Sequence, residues 1–145
     1  MKVLLQRVSH ATVTVKLETV GEIGHGLLVF LGLDRNDTQA GADRMLDKLL
    51  AYRIFDDSKG RMNASVVDVH GGVLLVSQFT LSADTRKGLR PGFSSAMPPR
   101  EAAQLYDYML EQLRCRHPLV ASGMFGADMQ VSLINDGPVT LLLDA

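Results

Sequence analysis

The chain has 145 residues, and its 15 lysines and arginines nearly balance 16 aspartates and glutamates. This length fits a single domain spanning residues 1–145. A net charge of −1 argues against a general nucleic-acid coat, although it leaves room for a small basic patch that contacts one RNA. Cys115 is the only cysteine, which excludes an internal disulfide and a cysteine metal cluster. Without a long apolar run or a signal-peptide pattern, we expect a cytoplasmic protein with no membrane partner.

The first third of the chain predicts strands. Residues 2–8 are mostly apolar but interrupted by Arg7, residues 11–15 alternate between apolar and polar, and residues 27–33 are apolar throughout. We expect a β-meander here. The position of Arg7 in the first run suggests a charge at an edge or rim of the sheet.

Two amphipathic helices follow from apolar residues repeated at helical spacing. The first begins after a cap at Asp37 or Thr38, and the second opens at Pro98-Pro99 and ends before Pro118. The two apolar stripes comprise Ala42, Met45, Leu46, Leu49 and Leu50, then Ala102, Leu105, Tyr106, Met109, Leu110 and Leu113. Two helices and seven or eight strands predict an α+β fold. We expect a curved mixed or antiparallel sheet, or an open barrel, with both helices on one side.

A short aliphatic run after Gly71-Gly72 leads into the polar positions Ser77, Gln78 and Thr80. The run predicts a buried strand that continues through residue 81. A buried polar group without a partner costs about 1–3 kcal/mol, so these groups need partners. Either neighbouring backbone satisfies them at a strand end, or they line a pocket whose ligand does so.

Residues 82–97 form the least regular stretch, and loops of this length are usually functional or mobile. Arg86, Lys87 and Arg90 lie in it, and Arg100 follows. These charges are either solvated surface or a rim that faces phosphate groups.

Residues 135–138, Asn-Asp-Gly-Pro, stand between two apolar runs, which is typical of a hairpin. Pro138 complicates that interpretation because it removes a backbone donor directly after the turn glycine.

Common catalytic motifs, such as a nucleophile elbow, a phosphate-binding loop or a zinc-binding helix, are missing from the sequence, and the histidines lack ligand spacing. An enzyme built from this chain would therefore rely on hydroxyls, amides and backbone N–H groups.

Two segments carry a family resemblance. Residues 77–81, Ser-Gln-Phe-Thr-Leu, resemble the SQFTL signature of D-aminoacyl-tRNA deacylases, and residues 135–140 resemble their NxGPVT signature. The likeness extends over essentially the whole chain, including residues 87–91 and Phe93. It implies an ester hydrolase that uses no cofactor or metal and acts on the 3′-terminal aminoacyl-adenosine of aminoacyl-tRNA.

The resemblance further implies a homodimer with two sites at the subunit interface. A cis Gly137-Pro138 peptide would present carbonyls to the aminoacyl α-carbon and exclude L side chains by collision. D-amino acids would be accepted, as would glycine, including glycyl groups mischarged on tRNA(Ala). Arg7 would hold the Gly137-Pro138 segment through its carbonyls.

The same resemblance places Ser77, Gln78, Phe79 and Thr80 along the pocket. Backbone N–H groups of Phe79 and Thr80 would bind the oxyanion, with Phe79 at the adenine end or pocket floor. Thr80 could be a nucleophile, but a threonine hydroxyl is weak without a base. We therefore expect the substrate's 2′-hydroxyl to assist hydrolysis, while Thr80 and Gln78 position the ester and water. Two alternatives are a non-catalytic module that binds RNA or a small ligand through residues 86–100, and a purely structural dimer.

Overall fold

The computed structural model describes residues 1–144, which form eight strands and two helices. In chain order these are β1 (Lys2–Val15), β2 (Glu18–Ile23), β3 (Gly26–Gly32), α1 (Gln39–Ala51), β4 (Phe55–Asp56), β5 (Met62–Ala64), β6 (Gly72–Ser77), α2 (Pro99–Arg116), β7 (Val120–Ser122) and β8 (Gln130–Asp144).

The long strand β1 organises the sheet. Its first half pairs with β3, its second half pairs with β2, and β8 pairs along both halves, all antiparallel. Beyond β3 the sheet continues with β6 and β7, and both run parallel to their neighbours. The prediction of a β-meander is therefore wrong, because β3 lies beside β1 rather than beside β2. A strand of 14 residues is long enough to accept two partners in succession along one edge.

The sheet curls until its two ends nearly meet. A Cβ atom on Gly21 of β2 would lie only 2.3 Å from the carbonyl oxygen of Ser122 in β7, so only glycine permits this approach. Strand β4 pairs with β5 in a separate two-stranded ribbon. The predicted α+β fold with a curved, barrel-like mixed sheet is confirmed.

Both helices pack on one side of this sheet. Of the two predicted caps, Asp37 and Thr38, it is Thr38 that caps α1, by accepting a hydrogen bond from the Gly41 amide, and α2 begins at Pro99. The predicted apolar stripes bury Leu46 and Leu113 completely. Burying such a side chain contributes about 1.5–3 kcal/mol, so the helix–sheet layer supplies much of the stability. Within residues 1–144, neither helix has the length and apolar character needed to cross a bilayer.

The parallel arrangement of β3, β6 and β7 places their carboxyl ends at one edge of the sheet. Helix α1 lies in the connection from β3 to β6, and α2 lies in the connection from β6 to β7. In α/β units, ligands commonly bind where the carboxyl ends of parallel strands meet. The fold therefore favours a ligand site at this edge of the sheet.

Candidate functional site

A cavity of about 540 Å³ opens at the carboxyl ends of β3, β6 and β7. Leu31 and Ser77 line it from β3 and β6, and Phe125 does so from the segment after β7. Tyr106 closes one side from α2, while Phe79 and Phe93 stand at the side facing the long loop. Its walls are mainly apolar and aromatic, as is typical of small-molecule sites.

The chain leaves the sheet directly after Ser77. Residues Phe79–Ser82 form a short 3-10 turn, so the prediction that the strand continues through residue 81 is wrong. A Cβ atom on Gly32 would lie 2.7 Å from Cβ of Leu81. The glycine therefore lets the turn pack closely against the end of β3. Thr80 is consequently exposed and Gln78 half-buried, so neither is a fully buried polar group.

This turn brings Gln78 and Thr80 together. The side-chain amide of Gln78 donates a hydrogen bond to the Thr80 hydroxyl. The backbone amides of Phe79 and Thr80 have no hydrogen-bond acceptor within residues 1–144, as expected for the first N–H groups of a helical turn. The turn therefore presents two donors and a positioned hydroxyl beside the cavity.

Phe79 pairs with Phe93 across the mouth of the cavity. Their ring centroids are 5.0 Å apart and the planes are tilted by 55°. Although it is a large aromatic residue, Phe79 is 61% exposed. An exposed aromatic pair beside an apolar cavity is suited to stacking against a flat ring such as a nucleobase.

Tyr106 connects the cavity wall to the strand that carries Ser77. Its hydroxyl donates to the carbonyl oxygen of Leu75 at 2.9 Å. Burial raises the pKa of Tyr106 to about 12, so this hydroxyl keeps its proton further into the alkaline range than an exposed tyrosine would. It fixes α2 against β6 next to the Ser77–Thr80 segment.

The second segment that carries the family resemblance, residues 135–140, lies inside β8 and does not reverse the chain as a hairpin would. Val8 faces Asn135 and Gln6 faces Thr140, so four residues, 136–139, stand opposite Arg7 alone. They form a large bulge, in which the Gly137-Pro138 peptide bond is cis and both residues are exposed. Pairing with β1 on both sides of the bulge replaces the predicted hairpin.

Asn135 closes this bulge with its side chain. Its Oδ1 accepts from the Val139 amide at 2.8 Å, and its Nδ2 donates to the Thr140 hydroxyl at 2.9 Å. Nδ2 also donates to the Val139 carbonyl at 3.3 Å. No role was predicted for Asn135, although an asparagine at the start of a turn is a common sign of side-chain bonding to backbone.

Arg7 holds the other side of the bulge. It is 8% exposed, so it is not a rim charge. Its Nε donates to the carbonyl of Asp136 at 2.8 Å, and its Nη1 donates to the carbonyl of Ile54 at the same distance. The contacted carbonyl thus belongs to the residue before Gly137, rather than to Gly137 or Pro138.

The cavity and the bulge do not meet within one copy of the chain. Strands β1 and β3 lie between β8 and β6, which places β8 and β6 roughly 14 Å apart across the sheet at about 4.8 Å per strand. Neither Gly137 nor Pro138 lines the cavity. The structure therefore brings Ser77, Gln78, Phe79 and Thr80 together in one place, and Arg7, Gly137 and Pro138 in another.

Within residues 1–144, no three His, Cys, Asp or Glu side chains are grouped so as to hold a metal ion. His117 ends α2, and its backbone amide donates to the Leu113 carbonyl. Its ring is buried and its Nε2 lies 2.7 Å from the Gly71 carbonyl oxygen. These contacts give His117 a structural role away from the cavity.

Known proteins match this chain over nearly its whole length. Residues 4–144 match the model of the D-Tyr-tRNA(Tyr) deacylase family. The chain belongs to this family. Proteins named D-aminoacyl-tRNA deacylase from Stutzerimonas stutzeri and Cellvibrio japonicus are 61% and 60% identical to it, over 100% and 97% of both chains.

Solved structures share the fold. One, described as a c-Myc DNA Unwinding Element Binding Protein, superposes with a TM-score of 0.96 at 44% identity, over 100% of this chain and 99% of the other. Another, described as a probable eukaryotic D-amino acid tRNA deacylase, has a TM-score of 0.86 at 19% identity, covering 99% and 98%. The second likeness concerns the fold alone. The family model and the two bacterial relatives confirm the family resemblance deduced from residues 77–81 and 135–140.

Proposed function

We propose that this chain is a D-aminoacyl-tRNA deacylase that works in the cytoplasm without a metal or cofactor. Water adds to the ester carbonyl, the bond to the ribose 3′-oxygen breaks, and that oxygen takes a proton. The products are a free D-amino acid and tRNA. The observation that carries the proposal is the cavity beside the Ser77–Thr80 segment, in a chain of this family.

The terminal adenosine fits the aromatic part of the cavity. Its base stacks on Phe79 and Phe93, which are the exposed rings at the mouth. The ester then lies at the Ser77–Thr80 turn, within reach of the unengaged amides of Phe79 and Thr80. Two N–H donors that are already oriented stabilise the negative charge that develops on the carbonyl oxygen.

Thr80 acts by position rather than as a nucleophile. Its hydroxyl accepts from Gln78, and no imidazole or carboxylate within residues 1–144 hydrogen-bonds to it. Without a base, a threonine hydroxyl is a weak nucleophile. The ribose 2′-hydroxyl lies next to the ester and takes part in proton transfer, while Gln78 and Thr80 orient the ester and water.

Chirality is selected by the bulge of a second copy. Gly137 and Pro138 are exposed and are supported from behind by Arg7 and Asn135, so they form a firm backbone surface. An L side chain directed at that surface collides with it, whereas a D side chain points away. Glycine has no side chain to exclude, so glycyl-tRNA(Ala) is a second substrate.

The homodimer in this proposal covers an apolar row on the sheet. Leu4 faces Phe30 on one side and Leu142 on the other, so the three side chains share a face. Leu4 and Phe30 are half-buried, and Leu142 is 56% exposed. A second copy packed on this row would remove it from water and bring its own bulge to the cavity.

The deciding experiment compares deacylation of D-tyrosyl-tRNA, L-tyrosyl-tRNA and glycyl-tRNA(Ala) with a chelator present. Light scattering measures the mass of the protein in solution. The proposal expects rapid loss of the D and glycyl esters, a stable L ester and a dimeric mass. Equal cleavage of both enantiomers would refute the role of Gly137 and Pro138. Binding of tRNA without cleavage of any ester would favour a binding module.

A further inference from the structure

The loop between the 3-10 turn and α2 is pinned at its base. Asp84 and Gly92 exchange two backbone hydrogen bonds, with N–O distances of 2.7 and 3.0 Å. Phe93, the next residue, lines the cavity mouth. Residues 85–91 therefore project as a closed loop whose base is fixed beside the cavity, and all of them are exposed.

The basic residues around this mouth fall into two groups. Arg86 is engaged, because its Nε and Nη2 donate to both carboxylate oxygens of Asp84 at 2.9 and 2.8 Å. These bonds hold the pKa of Asp84 well below its ordinary value. Arg35 is engaged as well, since its Nε donates to the Ser94 carbonyl at 2.6 Å. Both arginines thus serve to shape the loop.

Lys87, Arg90 and Arg100 are different. All three are exposed, and their side chains make no hydrogen bond or ion pair with any part of the chain that the structure describes. Arg100 lies in the first turn of α2, immediately after Pro98 and Pro99, which line the cavity. Three cations without a partner in the described residues are therefore carried by two segments that adjoin the cavity lining, in a protein whose net charge is −1.

We propose that Lys87, Arg90 and Arg100 bind the phosphates of the 3′ end of tRNA, an inference that rests on the proposed function. If the terminal adenosine stacks on Phe79 and Phe93, the preceding nucleotides leave the cavity past these cations. Lys87 and Arg90 are six and three residues from Phe93, so they lie within about 20 and 10 Å of it along the chain. Phosphate contacts of this kind supply affinity and register without reading sequence.

The test measures binding of uncharged tRNA by fluorescence anisotropy between about 50 and about 200 mM salt. The slope of log K against log salt is negative, and each lost phosphate contact reduces its magnitude by about 0.7 on a single strand. The double variant Lys87→Gln/Arg90→Gln should reduce the magnitude of the slope by about 1.4 and weaken binding about tenfold. Arg100→Gln should lower it by about 0.7.

A matched control removes two charges elsewhere. Lys16 lies past the far end of β1, and Arg114 lies 15 residues along α2 from Pro99, about 22 Å away. Lys16→Gln/Arg114→Gln should leave the slope and affinity nearly unchanged. An unchanged slope in the loop variant, or equal losses in both double variants, would overturn the inference.

A small substrate separates this inference from the proposed function. With a D-tyrosyl-adenosine ester, which lacks the neighbouring phosphates, the loop variant should keep kcat/KM within about twofold of the unmodified chain. With D-tyrosyl-tRNA it should lose about tenfold, through KM. If the unmodified chain cleaves neither ester, the proposed function fails, whereas the anisotropy result still decides whether these cations bind tRNA.

Discussion

Arg7 donates a hydrogen bond from Nε to the carbonyl oxygen of Asp136 at 2.8 Å, and thereby ties the bulge of β8 to β1. Its Nη1 reaches the Ile54 carbonyl at 2.8 Å in the segment after α1. The buried guanidinium thus joins three parts of the fold immediately behind Gly137. A buried charge with these partners can hold a backbone segment firmly, and its removal leaves the partner carbonyls unsatisfied.

The first prediction concerns Arg7. Arg7→Ala should destabilise the fold by about 2–4 kcal/mol and reduce the ratio of D to L deacylation rates at least tenfold. Arg7→Lys should recover part of the stability but less of the discrimination, because a lysine cannot reach both carbonyls as a planar fork does. Urea unfolding and paired tyrosyl-tRNA assays measure the two effects.

Arg53 provides the control for Arg7. It is exposed, and its Nη1 makes one hydrogen bond to Asn63 at 3.2 Å. Arg53→Ala should change stability by less than about 0.5 kcal/mol and leave the D to L ratio intact. If Arg7→Ala kept the original ratio, Arg7 would have no part in holding the Gly137-Pro138 surface.

The second prediction concerns Asn135, whose side chain makes three hydrogen bonds across the bulge. Asn135→Ala should cost about 1–3 kcal/mol and expose the Val139 amide to hydrogen exchange. Asn135→Asp keeps the acceptor for that amide but loses the donors to Val139 and Thr140. It should therefore retain more protection than the alanine variant, and equal exchange in both variants would contradict the assigned geometry.

The third prediction tests the aromatic pair as a stacking surface. Phe79→Ala and Phe93→Ala should each raise KM for a D-tyrosyl-adenosine ester about five- to tenfold, since base stacking contributes about 1–3 kcal/mol. Because the rings also contact each other, the double variant should depart from additivity by about 0.5–1.5 kcal/mol. Leu17→Ala, at a turn whose side chain is fully exposed, is the control. Additive effects, or a loss confined to kcat, would argue against adenine at this position.

The fourth prediction separates Thr80 from the substrate's 2′-hydroxyl. Thr80→Ala should reduce kcat less than about tenfold, because positioning is shared with Gln78 and the backbone amides. A substrate ending in 2′-deoxyadenosine should be cleaved at least about a hundredfold more slowly, a loss typical of a missing proton-transfer group. The reverse pattern, in which Thr80→Ala abolishes turnover and the deoxy substrate reacts normally, would make Thr80 the nucleophile.

The sequence predicts the helices and the class of fold well because local periodicity determines both. Leu46 and Leu113 fall in stripes that can be read directly from residue spacing. The end of β6 is different. Strand β6 ends at Ser77 because its neighbours β3 and β7 end at Gly32 and Ser122, and this long-range limit leaves no trace in the local pattern.

The site shows the same division. The segment 77–81 was identifiable by its resemblance, but Phe93, Tyr106 and Phe125 reach the cavity from a loop, a helix and the segment after β7. Their meeting depends on the tertiary fold. Likewise, the Asp-Gly pair at 136–137 favours a local hairpin, yet pairing of β8 with β1 on both sides turns the same residues into a bulge.

The last prediction follows from the buried hydroxyl of Tyr106. Burial raises its pKa from 10.0 to about 12 in the folded protein. Below pH 10 the phenol is neutral in both states, and its contribution to stability is complete. As the pH rises from 10 to 12, the unfolded chain loses this proton while the folded chain keeps it, so stability falls by about 2–3 kcal/mol.

Tyr106→Phe should abolish that share of the alkaline loss. Near pH 8 the variant should be about 1 kcal/mol less stable, because the bond to the Leu75 carbonyl is gone. Toward pH 12 the difference should shrink and then reverse, since phenylalanine has no proton to lose. Urea midpoints measured at intervals over this range test the crossing, and parallel curves for the two proteins would show that Tyr106 ionises as readily folded as unfolded.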